Sequence, residues 1–170
     1  MQKFEFRSNQ IFNLAILTIS DTGSKGERVD TSGDAISMMM KDATGFEEVA
    51  REIVADEVEL ISAKLIEWCD TGDIDLVVTT GGTGLGPRDV TPEATRQVID
   101  LEVPGMAEAM RMETIKITPF AMLSRSVVGV RNGCLIVNLP GSPKGVQETL
   151  EVALRGISHA LEMVKGWRTH

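Results

Sequence analysis

The chain has 170 residues, a formal net charge of −8, and 42% hydrophobic and 25% charged residues, a balance that allows one compact unit and excludes disorder and collagen-like repeats. Five Phe, two Trp and no Tyr leave little for base stacking, and the negative field repels polyanions, so nucleic acid and anionic membranes are excluded as general partners. Cys69 and Cys134 lack metal-ligand spacing and read as reduced structural thiols; no stretch approaches the roughly 18–20 apolar residues of a membrane span, and the polar start Met1 to Gln10 has no signal-peptide core, so a cytoplasmic protein is expected.

Phe12 to Ser20 is an aliphatic, β-branched run that predicts a buried strand, followed by a loop from Asp21 to about Asp30. Thr31 is expected to cap a helix carrying Ala35, Ile36, Met38, Met39 and Met40, with Gly45 closing it before a second strand at about Glu47 to Val54. Ala55-Asp56-Glu57 turns into a helix with Val58, Ile61, Leu65, Ile66 and Cys69 on one face, ended by Thr71-Gly72-Asp73. A third strand covers Asp75 to Thr80, and a helix from Thr91 runs to near Asp100, with Thr91 as N-cap and Pro92 at its first position. Pro104 to Met112 forms another helix, and Lys116 to Ser124 is irregular. Ser126 to Val130 and Cys134 to Asn138 flank Asn132-Gly133, a type I′ hairpin signal, and a long amphipathic helix runs from Lys144 through Val164. Strands alternating with helices predict a single α/β domain over residues 1–170: three layers, α/β/α, around a mostly parallel sheet with a small antiparallel hairpin.

In such a sheet the loops after the first three strands share one edge, where Asp21, Asp56 and Asp89 can converge. Gly81-Gly82-Thr83-Gly84-Leu85-Gly86 lets the backbone approach a ligand closely and present N–H groups to an anion, ahead of a helix N-terminus. It is neither a P-loop nor a dinucleotide fingerprint, because no Gly-Lys-Ser/Thr follows and Pro87 stands where a third glycine belongs. Pro140-Gly141-Ser142-Pro143-Lys144 repeats the logic: Ser142 is either a phosphate donor or a plain cap, and Lys144 supplies a point charge. Asp56 either caps its helix or, with Asp89, offers hard oxygen to Mg²⁺. Ser124-Arg125 either holds an anion or polar ring, or forms a surface salt bridge. His159 and His170 support no catalytic triad.

Thr79 to Gly84, Pro87 to Thr95, Thr118 to Arg125 and Asn138 to Lys144, together with Ile66 to Asp70, resemble in order the motifs of the MogA/MoaB family of molybdenum cofactor biosynthesis proteins and of the gephyrin G domain. The resemblance spans nearly the whole chain. It implies a homotrimeric molybdopterin adenylyltransferase that transfers AMP from ATP, with Mg²⁺ present, to the molybdopterin phosphate and releases pyrophosphate. It implies Asp56 and Asp89 as the catalytic, metal-holding acids. It further implies Gly81, Gly82, Thr83 and Gly84 at the nucleotide phosphates, and Ser124, Pro140, Gly141, Ser142 and Lys144 toward the bound ligand. Ala55 stands where the family often has proline. A non-catalytic molybdopterin carrier with the same site is the alternative.

Overall fold

The computed structural model describes residues 11–167. In chain order they form β1 (Phe12–Ile19), α1 (Asp21–Ser24), α2 (Thr31–Asp42), β2 (Phe46–Val54), α3 (Val58–Asp70), β3 (Leu76–Thr80), α4 (Thr91–Val98), β4 (Leu101–Glu102), α5 (Pro104–Thr114), a 3₁₀ turn (Pro119–Leu123), β5 (Val128–Arg131), β6 (Cys134–Leu139) and α6 (Pro143–Val164). The strands make one sheet in the order β2-β1-β3-β6-β5-β4. β2, β1, β3 and β6 are mutually parallel, while β5 and β4 continue the sheet antiparallel. The three-layer α/β arrangement expected from the alternating pattern is present.

Alternation along β1 feeds two cores. Phe12, Leu14 and Ile16 pack toward α2, α5 and α6, whereas Ala15, Leu17 and Ile19 pack toward α3 and α4. Both sets are buried, which is why β1 reads as a continuous apolar run rather than an alternating one. Each fully buried Leu or Ile contributes on the order of 2 kcal/mol, so the central strands hold the sheet rigid beneath the loops at its edge. β2 differs because it is an edge strand: Glu47, Glu48 and Val49 are exposed, and its charges protect a row of unpaired backbone groups.

The Asn132-Gly133 hairpin is as expected, both residues taking positive φ (45° and 80°) between β5 and β6. Several boundaries differ from expectation, each for a local reason. The loop after β1 contains the short α1, capped by Ser20, whose hydroxyl accepts the Gly23 N–H at 3.0 Å. α2 is capped by Asp30 rather than Thr31, since the Asp30 carboxylate accepts both the Gly33 N–H (2.9 Å) and the Thr18 hydroxyl (2.8 Å). Val90, not Thr91, occupies the cap position of α4, which puts Pro92 one place further in. The Thr91 hydroxyl is drawn instead to the Gly81 carbonyl at 2.9 Å in a fully buried contact. Residues 101–102 add a sixth strand that pairs with β5, and part of the segment read as irregular forms the 3₁₀ turn. On α3, Ile66 is 38% exposed and Trp68 takes the core position instead.

Candidate active site

The chain passes from β1 to β2 on one side and returns to β3 on the other, so the sheet order reverses between β1 and β3. Crevices at such reversals, outside the carboxyl ends of the strands, are where open α/β sheets bind ligands. Four loops crowd there, following β1, β2, β3 and β6.

The β3 loop is held from behind by its carbonyls. Thr91 donates to Gly81, and Arg125 donates to Gly84 (2.7 Å) and Asp89 (2.6 Å) through its guanidinium and to Thr83 through its own N–H (2.9 Å). In the β6 loop, the Thr80 hydroxyl takes the Pro140 carbonyl (2.6 Å) and the Ser32 hydroxyl the Gly141 carbonyl (2.8 Å). Among the described residues, no protein acceptor takes the N–H of Gly82, Thr83 or Gly84. A loop whose carbonyls are occupied and whose amides are unused is an anion cradle.

Two glycines are required by geometry, Gly82 and Gly81, the latter with φ of +101° and a Cβ that would lie 2.3 Å from the Ile19 carbonyl oxygen. Gly82 has φ of +63°, and a Cβ there would lie 2.4 Å from the Thr91 hydroxyl and 3.3 Å from a carboxylate oxygen of Asp56. A Cβ on Gly84 would stand 2.9 Å from a carboxylate oxygen of Asp89. The two acids therefore rest against positions two residues apart on the same loop.

Asp21 and Asp56 exchange reciprocal bonds: the Asp21 N–H donates to Asp56 Oδ2 (2.8 Å) and the Asp56 N–H to Asp21 Oδ1 (3.1 Å). Asp56 thus ties the β1 and β2 loops together rather than capping α3, whose cap position is Glu57. Arg88 grips Asp21 with two bonds of 3.0 and 2.8 Å, joining the β3 loop to the pair. Burial, reinforced by the neighbouring Asp21 and Asp89 charges, pushes the Asp56 carboxyl above its ordinary range, while the Arg88 guanidinium holds Asp21 below it. Asp89 Oδ2 accepts the Gly86 N–H at 2.7 Å, closing its own loop.

Two cavities open onto these loops. One, of about 520 Å³, is lined by Gly82, Thr83, Gly84 and Asp89 on one wall, by Phe120, Leu123 and Ser124 on another, and by Pro140, Gly141, Ser142 and Lys144 on a third. The second, of about 190 Å³, is more polar and includes Thr18, Asp30, Ser32, Asp56, Gly81, Gly82 and Gly141. Gly82 and Gly141 line both. Asp56 lies in the smaller cavity and Asp89 in the larger, and the glycines, Ser124 and the Pro140 to Lys144 residues singled out from sequence line one or the other. Ser142 caps α6 by accepting the Gly145 N–H (3.1 Å), and Lys144 is 81% exposed at the rim. Arg125 is committed to Glu93 and to backbone carbonyls, so the salt-bridge alternative for Ser124-Arg125 holds and no anion is gripped by that guanidinium. Burial acts to raise the Glu93 carboxyl, but Arg125, the residue's own backbone N–H and Arg96 together outweigh it and leave Glu93 below its ordinary range. Sequence reasoning missed Thr18, Asp30 and Ser32, which it read only as strand, loop and helix start. Their one visible signal is a cluster of hydroxyl and acid side chains bracketing the first loop.

The family described as "Probable molybdopterin binding domain" matches residues 15–159. The chain belongs to this molybdenum cofactor biosynthesis family. Within it, a molybdopterin adenylyltransferase of Helicobacter pylori (strain J99) is 45% identical over 158 residues, covering 92% of this chain and 90% of that protein. A molybdopterin adenylyltransferase of Escherichia coli (strain K12) is 43% identical over 140 residues, 81% of this chain and 71% of the relative. The crystal structure of the molybdopterin biosynthesis enzyme MoaB from Thermus thermophilus superposes with a TM-score of 0.84 at 51% identity, covering 92% of this chain and 98% of the other. Among the described residues, no helix is long and apolar enough to cross a membrane.

Proposed function

We propose that this member of the molybdenum cofactor biosynthesis family is a molybdopterin adenylyltransferase: the terminal phosphate of molybdopterin attacks the α-phosphorus of ATP, forming adenylylated molybdopterin and releasing pyrophosphate. The observation that carries this reading is the cradle at residues 82–84, whose amides have no protein acceptor and whose residues line the larger of two cavities that share Gly82 and Gly141. A reaction joining two phosphorylated substrates needs such a junction. The larger cavity, with the Phe120 and Leu123 wall and the Lys144 rim, suits a pterin carrying a phosphate. The smaller one offers Asp30, Ser32 and Thr18 as polar partners for a nucleoside.

Asp56 and Asp89 fit the magnesium ion that the reaction calls for. Each spends one carboxylate oxygen on a backbone N–H and keeps the other uncommitted. Among the described residues, no cluster of three or more His, Cys, Asp or Glu side chains could hold a metal by itself, and Mg²⁺ commonly takes only one or two carboxylates and completes its shell with phosphate and water. Bound there, the ion would neutralise charge on the phosphates. The chain's own contribution is positioning and charge stabilisation: loop amides receive the α-phosphoryl oxygens, Lys144 draws in a phosphate, and the α6 N-terminus adds positive potential.

Exposed Met112, Ile117, Phe120 and Met122 form an apolar stretch beside the larger cavity that supports self-association, and we assign a homotrimer, checked by sedimentation equilibrium. A cytoplasmic location suits the ATP supply and two buried, unbridged cysteines. The deciding assay incubates the purified protein with molybdopterin, ATP and Mg²⁺ and follows AMP-linked pterin. Tight pterin binding without that product would instead identify a carrier and sink the enzyme reading.

A further inference from the structure

We infer that Arg125 is a positioning residue that sets the glycine loop and Asp89 for transfer, an assignment that rests on the adenylyltransferase reading. Arg125 reaches the loop from the segment after the 3₁₀ turn, 41 residues away from Gly84 in sequence. Its Nε donates to the Gly84 carbonyl at 2.7 Å, its Nη2 to the Asp89 carbonyl at 2.6 Å, and its Nη1 pairs with Glu93 on the first turn of α4. Its backbone N–H adds the Thr83 carbonyl at 2.9 Å. One residue thus holds both ends of the segment that carries the Asp89 carboxylate.

Peptide planarity turns this grip into an orientation of donors. In a trans peptide the N–H points opposite to the preceding C=O, so holding the Thr83 and Gly84 carbonyls toward Arg125 aims the Gly84 and Leu85 amides away from it. Fixing the Asp89 carbonyl likewise limits where its carboxylate can swing, already braced on the Gly86 N–H. A guanidinium can do this because its N–H groups diverge in a rigid plane; an ammonium of the same charge cannot satisfy two separated carbonyls and a carboxylate in fixed directions. The other arginine of the loop region, Arg88, has no such role, since its guanidinium grips Asp21 and is 56% exposed.

Three measurements on Arg125→Lys and Arg125→Ala test the assignment. Hydrogen exchange of the ligand-free protein should quicken at Gly86 and Asp89, whose amides are bonded within the loop, in both variants and stay unchanged across 140–146. Arg125→Lys should lower kcat by about 100-fold while leaving KM for molybdopterin within about twofold, the pattern of a misplaced rather than a missing binding group. Added guanidinium should restore part of the Arg125→Ala rate and none of the rate lost in Asp89→Asn. Wild-type kcat and exchange in Arg125→Lys would overturn the inference, as would a loosening spread over the whole chain with no rescue. Absence of transfer in the wild-type protein would overturn the function reading and the catalytic part of this one, while exchange in the variants would still decide the brace.

Discussion

The two loops that build the site solve the same problem with different reach. The β6 loop is three residues long, and its cap, Ser142, lies within it. Its carbonyls are held by Thr80 and Ser32, from the strand next door and the helix beyond. The β3 loop is ten residues long, bears the acid Asp89, and depends on Thr91 and Arg125 to keep its carbonyls out of the cleft. Both loops are braced from elsewhere in the chain, but the short one also carries its own cap, whereas the long one, which must place a carboxylate, relies on a single guanidinium that spans from Gly84 to Asp89. The division suggests that the β3 loop governs chemistry and the β6 loop governs binding.

The sharpest way to break that division is Asp89→Asn, whose amide oxygen can still accept the Gly86 N–H while the charge is lost. Adenylyl transfer should fall by about 10³-fold with the melting temperature nearly unchanged, as expected when preorganised charge stabilisation is removed. Wild-type turnover in this variant would move the chemistry off the β3 loop. Next in size, Gly82→Ala must place a Cβ 2.4 Å from the Thr91 hydroxyl at φ +63°, and should destabilise the fold by about 2 kcal/mol in denaturant melts. An unaltered melt would mean that the carbonyl clamp at Gly81 is not rigid.

Ser142→Ala probes the other loop. Loss of the cap to Gly145 should cost about 1 kcal/mol and raise KM for molybdopterin more than it lowers kcat. A fall in kcat alone would erase the contrast between the loops.

The smallest effect concerns acidity. Because burial raises the Asp56 carboxyl above its unfolded value of 3.8, folding favours its protonated form: the native protein binds an extra proton between the two values, and stability from this group is lost as pH rises through the folded one. Asp56→Asn, which can keep the Asp21 N–H bond, should therefore stabilise the fold at neutral pH by about 0.5 kcal/mol, a modest figure because the group is only partly buried and solvent screens its neighbours. The gain should vanish below pH 3.8, while transfer is lost at every pH. Asp21 has the opposite sign, since Arg88 lowers it, and its contribution is lost as pH falls through its folded value. A destabilised Asp56→Asn at neutral pH would show that the carboxylate charge holds the loops together.

Much of this architecture was legible along the chain because its determinants are local. Continuous apolar runs marked β1, β3 and β6, Asn132-Gly133 marked the hairpin, and the glycine run after β3 marked a close backbone approach. What was not legible depends on partners far apart in sequence. Thr91 followed by Pro92 reads as a cap, yet the Gly81 carbonyl claims its hydroxyl. Arg125 beside Ser124 reads equally as an anion ligand, and only its approach to Gly84, Asp89 and Glu93 decides otherwise. The polar lining of the smaller cavity was missed because Thr18 belongs to a strand, Asp30 to a cap and Ser32 to a helix, with no spacing that a linear motif could express.

The glycine junction between the two cavities bears on the stereochemistry of the reaction. Gly82 and Gly141, which line both cavities, have no side chains, so neither can carry the adenylyl group in transit. On the proposed reading, transfer is a single in-line displacement, and an ATP made chiral at its α-phosphorus should give a pterin adenylate of inverted configuration; retention would overturn it.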